Sequence, residues 1–263
     1  MKLTFVGGGT MAEALIRRLL ADEVVSPGQV RVVDPAGERR ELLERQYGVG
    51  TYSEPSDCIE GADVVVLAVK PQDLEKAAGQ VGKLGGEQLL LSILAGVKLE
   101  RLASRFEHGI IVRAMPNMPA QVGQGMTVWT ATSGVGQTHI ERARTILSAL
   151  GAELYVPDEK YVDMATALSG SGPAYVFLFV EALIDGAVRI GMPRAMAEEL
   201  AVQTVLGSTE YLRESGKHPA ELRNLVTSPG GTTAAALHEL EKGSLRTLVA
   251  EAVAAAYART KGL

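Results

Sequence analysis

The chain has 263 residues, of which 46% are hydrophobic and 22% are charged, values that are ordinary for a globular protein of one large or two modest domains. The formal net charge of −5 argues against a nucleic-acid-binding protein, so we expect no nucleic-acid partner. The single cysteine, Cys58, excludes an intrachain disulfide framework, and the scattered histidines argue against a metal centre.

In the first half of the chain, short apolar runs alternate with segments of helical period. Strands are predicted at 2–6, 30–34, 64–69, 89–94, 110–112 and 155–156, and helices at 11–20, 39–47, 72–81, 98–105 and 140–150. The uninterrupted apolar run 64–69 is typical of a strand that is buried on both faces. Strands that alternate with helices indicate a parallel sheet with right-handed crossovers, so we predict an α/β domain of the Rossmann type over residues 1–156.

The second half, 157–263, is predicted to be an all-α domain because no strand pattern follows residue 156. Helices are predicted at 162–168, 174–190, 194–213, 219–226, 233–241 and 245–260. Pro173, Pro193 and Pro219 each stand where a first helical turn would begin, a position that tolerates proline.

Two predicted helices of this half indicate whether the chain has a membrane or a protein partner. The apolar segment 174–192 carries Glu181, Asp185 and Arg189 on one face, so we expect a core-facing helix and no membrane partner. The last helix is rich in alanine, which high helix propensity alone would explain. Its small side chains would also allow close packing against another subunit, so we expect a homodimer or higher homo-oligomer built on the helical domain. The N-terminus shows no secretory h-region, and a cytoplasmic location is expected.

A glycine-rich turn directly follows the first predicted strand and opens a helix. The segment reads Gly7-Gly8-Gly9-Thr10-Met11-Ala12 and fits the dinucleotide-binding pattern G-x-G-x-x-A, with Thr10 as the candidate helix cap. The first glycine of that pattern allows a tight turn, and the second lets the backbone approach a pyrophosphate. The alternative is a turn that serves only the fold.

Asp34 ends the second predicted strand, where a carboxylate accepts hydrogen bonds from an adenosine ribose and repels a ribose 2′-phosphate. Arg39 and Arg40 lie just beyond and would partly offset that repulsion. The sequence thus predicts NADH or NADPH as the cofactor, with Asp34 favouring NADH.

Two further segments stand at the carboxyl edge of the predicted sheet, where ligands of open α/β sheets bind. Ala68-Val69-Lys70-Pro71 ends the strand 64–69; Pro71 stops the pairing, and Lys70 is either a surface lysine or a residue near the phosphates or the substrate. The stiff loop 115–119 follows another strand, and its Asn117 is a candidate partner for the nicotinamide carboxamide or the substrate. Both segments are predicted to contact the cofactor.

A second turn, Ser228-Pro229-Gly230-Gly231-Thr232-Thr233, leads into a predicted helix. Proline fixes one backbone angle, two glycines follow, and two threonines stand at the helix start. This order presents free backbone N–H groups and hydroxyls at the positive end of a helix dipole. Such a turn binds a small anion without a charged side chain, so we expect the chain to hold one large and one small anionic molecule.

Three segments together resemble the pyrroline-5-carboxylate reductase family. They are 111–117 (IVRAMPN), 168–175 (LSGSGPAY) and 225–233 (LVTSPGGTT), and the likeness runs essentially from end to end. The resemblance implies a Rossmann domain followed by a helical domain that interlocks two subunits, with the substrate between the cofactor domain of one subunit and helices of the dimer. It also implies reduction of the ring imine of 1-pyrroline-5-carboxylate to L-proline with NADH or NADPH, the last step of proline biosynthesis.

The resemblance also implies roles for residues of this sequence. The loop that holds the substrate carboxylate is matched by Ser228, Gly230, Gly231, Thr232 and Thr233. Thr233 further resembles a threonine near the ring nitrogen, and Thr166 with the turn 169–173 resembles the other wall of the site. A helix cap is the alternative interpretation of that turn, and it is compatible with the first. Thr233 and Thr166 are therefore the predicted catalytic residues.

No histidine or carboxylate occupies these motifs, so we expect that the protonated imine binds, or that the Thr233 hydroxyl or a water supplies the proton. A hydroxy-acid dehydrogenase is the nearest alternative enzyme. It needs a general base, usually a helix lysine, and no lysine lies between Lys160 and Lys217. A non-catalytic dinucleotide sensor is the alternative of another class, and it would lack the second anion site.

Overall fold

The structure, a computed structural model, describes residues 1–260, and within them eight strands form one sheet in the order β3-β2-β1-β4-β5-β6-β7-β8. The strands are β1 Leu3–Val6, β2 Val30–Val33, β3 Gly50–Tyr52, β4 Val64–Leu67, β5 Leu89–Ser92, β6 Ile111–Met115, β7 Gly125–Ala131 and β8 Gly151–Tyr155. Strands β1 to β6 are mutually parallel. The predicted α/β class is confirmed.

The continuous apolar strands are explained by a core on each face of the sheet. Val64 and Val66 belong to one core, which also contains Leu15 and Ile146 from helices near the start and the end of the first half of the chain. Val65 and Leu67 belong to the core on the other face. Because successive side chains of a strand point to opposite faces, a strand covered on both sides must be apolar at every position.

The prediction of a parallel sheet is wrong at its far edge. Strand β7 pairs antiparallel with β6, with Met115 opposite Val128, and β8 then runs parallel to β7, with Trp129 opposite Tyr155. The chain returns from β6 through a 3-10 turn, Met118–Val122, instead of a helical crossover. Strand β7 was missed because its sequence, GMTVWTA, mixes threonine and glycine with apolar residues. Strand β3 was missed because it has only three residues, all half-buried.

Helices cover the sheet in the first half and make up nearly all of the second. They are α1 Thr10–Ala21, α2 Gly37–Tyr47, α3 Leu74–Val81, α4 Leu99–Phe106, α5 Gln137–Ser148, α6 Lys160–Ala165, α7 Gly172–Arg189, α8 Arg194–Ser215, α9 Pro219–Leu225, α10 Thr232–Lys242 and α11 Leu245–Thr260. The all-α character predicted for the second half is confirmed.

The chain divides into two compact units. The first comprises Met1–Ser171 together with residues 256–260, and the second comprises Gly172–Ala255. Within the second unit, α7 packs against α8. The predicted domain boundary at 156/157 stays a prediction.

The prediction of a core-facing helix at 174–192 is wrong for the single described chain, because α7 carries an exposed apolar surface. Phe177 is 58% exposed and Leu178 is 66% exposed, and no residue of α7 is buried within the described chain. The continuous helical stretch Lys160–Arg189 is long and apolar enough to cross a membrane by length and composition alone, a test that core helices of soluble proteins also pass. Large exposed apolar patches mark interaction surfaces, so this face of α7 requires a covering partner.

Candidate active site

The first glycine turn lies where strands β1 and β4 end side by side. Gly7 has φ +100°, and its N–H donates to the Val33 carbonyl over 2.8 Å. A Cβ at this position would lie 2.7 Å from the Ala68 carbonyl oxygen. Only glycine therefore fits, and the turn brings two of the predicted cofactor segments, 7–11 and 68–71, to one edge of the sheet.

Gly8 is held from both sides by charged side chains. Its N–H donates to Asp34 Oδ2 over 2.9 Å, and its carbonyl accepts a short hydrogen bond from Arg39 Nε. The other Asp34 oxygen, Oδ1, accepts from the Ala36 N–H over 2.9 Å. These bonds fix the turn and place the Asp34 carboxylate against it, where the ribose of a dinucleotide is expected.

Gly9 leaves open space at the start of α1. A Cβ there would meet no atom within 4 Å, and the first helical hydrogen bond runs from Glu13 N to the Gly9 carbonyl over 2.9 Å. Among the described residues, the N–H groups of Thr10, Met11 and Ala12 have no backbone partner. An open glycine before unpaired N–H groups fits a pyrophosphate. The prediction that Thr10 caps the helix is wrong, because Gly9 occupies the cap position and Thr10 is already helical.

A groove of about 350 Å³ extends from this turn. It is lined by predicted residues, Gly7, Gly9, Asp34, Ala68, Val69 and Lys70, and by residues 53–55. Residues 53–55 directly follow β3, the short strand that was not predicted. Pro71 begins a 3-10 turn, Pro71–Asp73, directly after Lys70, consistent with its predicted role in stopping the strand.

Asn117 joins three parts of the first unit. Its Nδ2 donates to the Ser169 carbonyl over 3.0 Å, and its Oδ1 accepts from the Met126 N–H over 2.9 Å. These two bonds tie the loop after β6 to the start of β7 and to the segment that follows α6. One N–H of the amide stays available, so contact with the nicotinamide or the substrate stays a prediction.

Thr166 begins a π-helical segment, Thr166–Gly170, instead of continuing α6. Its hydroxyl donates to the Val162 carbonyl over 2.9 Å, and its own carbonyl accepts from the N–H and the hydroxyl of Ser171. The turn predicted at 169–173 is thus reduced to a single bend at Ser171. Short π-helical segments interrupt α-helices rarely, and they are frequent at functional sites.

The second glycine turn, in the second unit, ends at the start of α10. Gly230 has φ +70°, and a Cβ on Gly231 would overlap Ser228 Oγ. Gly231 is the cap residue, and the first helical bond runs from Ala235 N to the Gly231 carbonyl over 3.2 Å. The N–H groups of Thr232 and Thr233 therefore have no backbone partner among the described residues, as the sequence predicted for an anion-binding helix start.

Comparison with known proteins decides the family. Residues 159–263 match a family model described as pyrroline-5-carboxylate reductase dimerisation, and residues 2–96 match one described as NADP oxidoreductase, coenzyme F420-dependent. The pyrroline-5-carboxylate reductase of Synechocystis sp. is 44% identical, with 100% of this chain and 98% of the relative covered. The chain belongs to the pyrroline-5-carboxylate reductase family.

Solved structures agree with this membership. A pyrroline-5-carboxylate reductase from Coxiella burnetii is 35% identical with a TM-score of 0.90, covering 99% of this chain and 97% of the other. The Plasmodium falciparum pyrroline carboxylate reductase, solved with NADP bound, is 31% identical with a TM-score of 0.89, covering 100% and 97%. The resemblance found in the sequence is thus confirmed: the chain is an NAD(P)H-dependent oxidoreductase with an oligomerising helical domain.

Sequence reasoning missed one charged residue of this reductase. Arg113 is 1% exposed on β6 and donates to Glu159 Oε1 over 2.7 Å and to Asp163 Oδ1 over 2.6 Å. The available signal was an arginine inside the apolar strand IVRAM. Such a residue must be paired, but its partners, on α6 and just before it, cannot be identified from spacing.

A larger groove, of about 1150 Å³, opens at the other edge of the sheet. Asp63 and Gln88 line it directly before β4 and β5 begin, so it lies at the amino ends of those strands. Ligands of open α/β sheets bind at the carboxyl ends, and we assign this groove no part in the reaction.

Proposed function

We propose that the enzyme reduces 1-pyrroline-5-carboxylate to L-proline with NAD(P)H, the last step of proline biosynthesis. The observation that carries this proposal is the presence of two glycine turns, each followed by a helix start with unpaired N–H groups. One turn suits a dinucleotide pyrophosphate and the other suits a small carboxylate. Family membership supports the same reaction.

The cofactor would be held by the carboxyl edge of the sheet. The open turn at Gly9 and the N–H groups of Thr10 and Met11 would bind the pyrophosphate, and Asp34 would bind the adenosine ribose. The segment 68–71 and Asn117 would lie towards the nicotinamide. When bound, the cofactor supplies a hydride to the imine carbon of the substrate.

The substrate would be oriented by its carboxylate. The loop 228–231 and the N–H groups of Thr232 and Thr233 offer preorganised donors without a charged side chain. For so small a molecule, a fixed orientation of the imine carbon is the main catalytic contribution that a protein makes.

The proton of the imine nitrogen is the second chemical requirement. As hydride forms the new C–H bond, the electrons of the C=N double bond move to nitrogen, which must therefore be protonated. Thr166 already donates its hydroxyl hydrogen to the Val162 carbonyl, so its oxygen is left to accept a hydrogen bond. We assign Thr166 to orienting a protonated nitrogen, and Thr233, or a water that it holds, to supplying the proton.

The exposed apolar face of α7 supports an assembly of at least two chains built on the helical domain. We propose a homodimer in which a second copy covers this face, because its aromatic and aliphatic side chains would otherwise stay in water. The number of copies beyond two and a cytoplasmic location stay predictions.

The reaction is tested by the loss of NADH or NADPH absorbance with 1-pyrroline-5-carboxylate. Thr233→Ala should lower kcat by about 10² or more, whereas Thr233→Ser, which keeps the hydroxyl, should retain most of it. Near-normal turnover of Thr233→Ala would remove Thr233 from the mechanism. No turnover of the wild type with either cofactor would favour the sensor instead.

A further inference from the structure

A cluster of three side chains adjoins the first glycine turn and takes no part in the proposed chemistry. Glu13 lies in the first turns of α1, and Arg39 and Tyr47 lie on α2. Arg39 Nη2 is 2.5 Å from Glu13 Oε2, and the Tyr47 hydroxyl donates to Glu13 Oε1 over 2.9 Å. One carboxylate thus engages both an arginine and a tyrosine of the neighbouring helix.

Arg39 links this cluster to the glycine turn. Its Nε donates to the Gly8 carbonyl, and its Nη2 reaches the Gly9 carbonyl at 3.4 Å, while the Gly8 N–H donates to Asp34. The guanidinium and the Asp34 carboxylate therefore flank the same residue of the turn. A phosphate on the 2′-position of a ribose bound at Asp34 would come within reach of Arg39.

Among the described residues, Arg40, the other arginine after β2, makes no hydrogen bond to the glycine turn. Its Nη1 donates to the backbone carbonyls of Asp34 over 2.7 Å and Pro35 over 3.0 Å. It therefore braces the turn after β2. Arg39 is the guanidinium on which recognition of a 2′-phosphate would depend.

Glu13 opposes that recognition electrostatically. Burial alone would raise the pKa of Glu13, but the hydrogen bonds from Arg39 and Tyr47, together with the positive charge of Arg39, outweigh it and hold the pKa below its ordinary value. Burial and the neighbouring carboxylate raise the pKa of Tyr47, which stays a neutral donor. Both members of the ion pair are about three-quarters buried, so water screens it less than a surface pair.

We propose that Glu13 is a specificity-determining residue, which engages Arg39 with the support of Tyr47 and so withholds its guanidinium from a ribose 2′-phosphate. This inference rests on the proposed function and adds a second determinant to Asp34. In it, Asp34 favours NADH by repelling the phosphate directly, whereas Glu13 favours NADH by neutralising the cation that would attract it.

The test is the ratio of kcat/KM for NADPH to kcat/KM for NADH. Glu13→Gln keeps the shape and removes the charge, and should raise this ratio by about tenfold, the effect of one charge-assisted hydrogen bond gained by the phosphate. Tyr47→Phe should raise it in the same direction by a smaller factor. Glu38→Gln is the matched control, because it removes the same charge from an exposed position on α2 and should leave the ratio unchanged.

Two further measurements keep the test decisive. Arg39→Met added to Glu13→Gln should cancel the gain, and the dissociation constants of NADP⁺ and NAD⁺ should shift as the kinetic ratio does. An unchanged or lowered ratio in Glu13→Gln overturns the inference, and if that variant does not fold, an unchanged ratio in Tyr47→Phe does so. Absence of turnover in the wild type would instead reject the proposed function.

Discussion

Arg113 Nη2 lies 2.6 Å from Asp163 Oδ1, an ion pair that joins the middle of β6 to α6. The same guanidinium reaches Glu159 Oε1 over 2.7 Å, and that oxygen also accepts from the Leu99 N–H at the start of α4. Three elements therefore meet at one buried cation. The two carboxylates share this single positive charge.

We expect Asp163→Asn to lower the free energy of unfolding substantially, because Arg113 is buried and would lose one of its two counter-charges. Because Glu159 still compensates the charge, the expected loss is that of one charge-assisted hydrogen bond, about 1.5–3 kcal/mol. The measurement is equilibrium urea unfolding at one fixed protein concentration, because the chain oligomerises.

Glu75→Gln is the matched control for that variant. Glu75 pairs with Arg101 and Arg105 at the surface, where all three side chains are about half exposed. Its loss should cost at most about 1 kcal/mol. Equal losses in the two variants would show that Arg113 is not the structural centre described here.

The glycine turn at β1 yields a prediction that separates stability from cofactor binding. Gly7→Ala should cost at least about 2 kcal/mol, because φ +100° disfavours a side chain and the Cβ would lie 2.7 Å from a backbone oxygen. Gly9→Ala should change stability by no more than about 1 kcal/mol, since its surroundings are open and its backbone is extended.

The same pair should behave differently in kinetics. The Cβ of Gly9→Ala would occupy the approach of the pyrophosphate, so the KM for the cofactor should rise by about tenfold or more. Thermal unfolding and initial-rate kinetics check the two expectations. A normal KM in Gly9→Ala would mean that the cofactor does not approach this turn.

The decrease in unfolding free energy at acidic pH should depend on Glu13. Because its pKa is held below the ordinary 4.5, the folded state binds this proton less readily than the unfolded chain. The resulting stabilisation is present above about pH 4.5 and is lost as the pH falls through the lowered pKa. Unfolding free energies measured from pH 6 to pH 3 should therefore fall more steeply for the wild type than for Glu13→Gln. Curves that stay parallel would contradict this.

Sequence reasoning located both glycine turns and the carboxyl edge because local backbone chemistry determines them. Gly7 and Gly230 adopt conformations that few other residues tolerate, and each stands beside a helix start that the apolar pattern reveals. Strand β7 was lost for the opposite reason. Its direction is decided by pairing with β6, and no residue of its own sequence records that partner.

The charged clusters could not be predicted either, because their members are far apart in the sequence. Glu13 and Arg39 are 26 positions apart, and Arg113 and Asp163 are 50 apart. Each pair exists because helices and strands pack together, and many carboxylates in the sequence would have served equally well as partners. Thr10 was misjudged more simply, since Gly9 took the position of the cap.

The reversal of β7 and β8 has a consequence for Thr166. Strand β8 runs antiparallel to β6 and ends at Tyr155, level with Trp129 of β7 and Ala114 of β6, and the six residues of α6 with the five of the π segment then follow alongside β6. Arg113 holds the start of this helical segment through its ion pairs, and Asn117 holds its end through the Ser169 carbonyl. The ion pair between Arg113 and Asp163 therefore fixes the rotation of α6 about its own axis. One residue inserted after Asp163 would rotate Thr166 about that axis by about 100°.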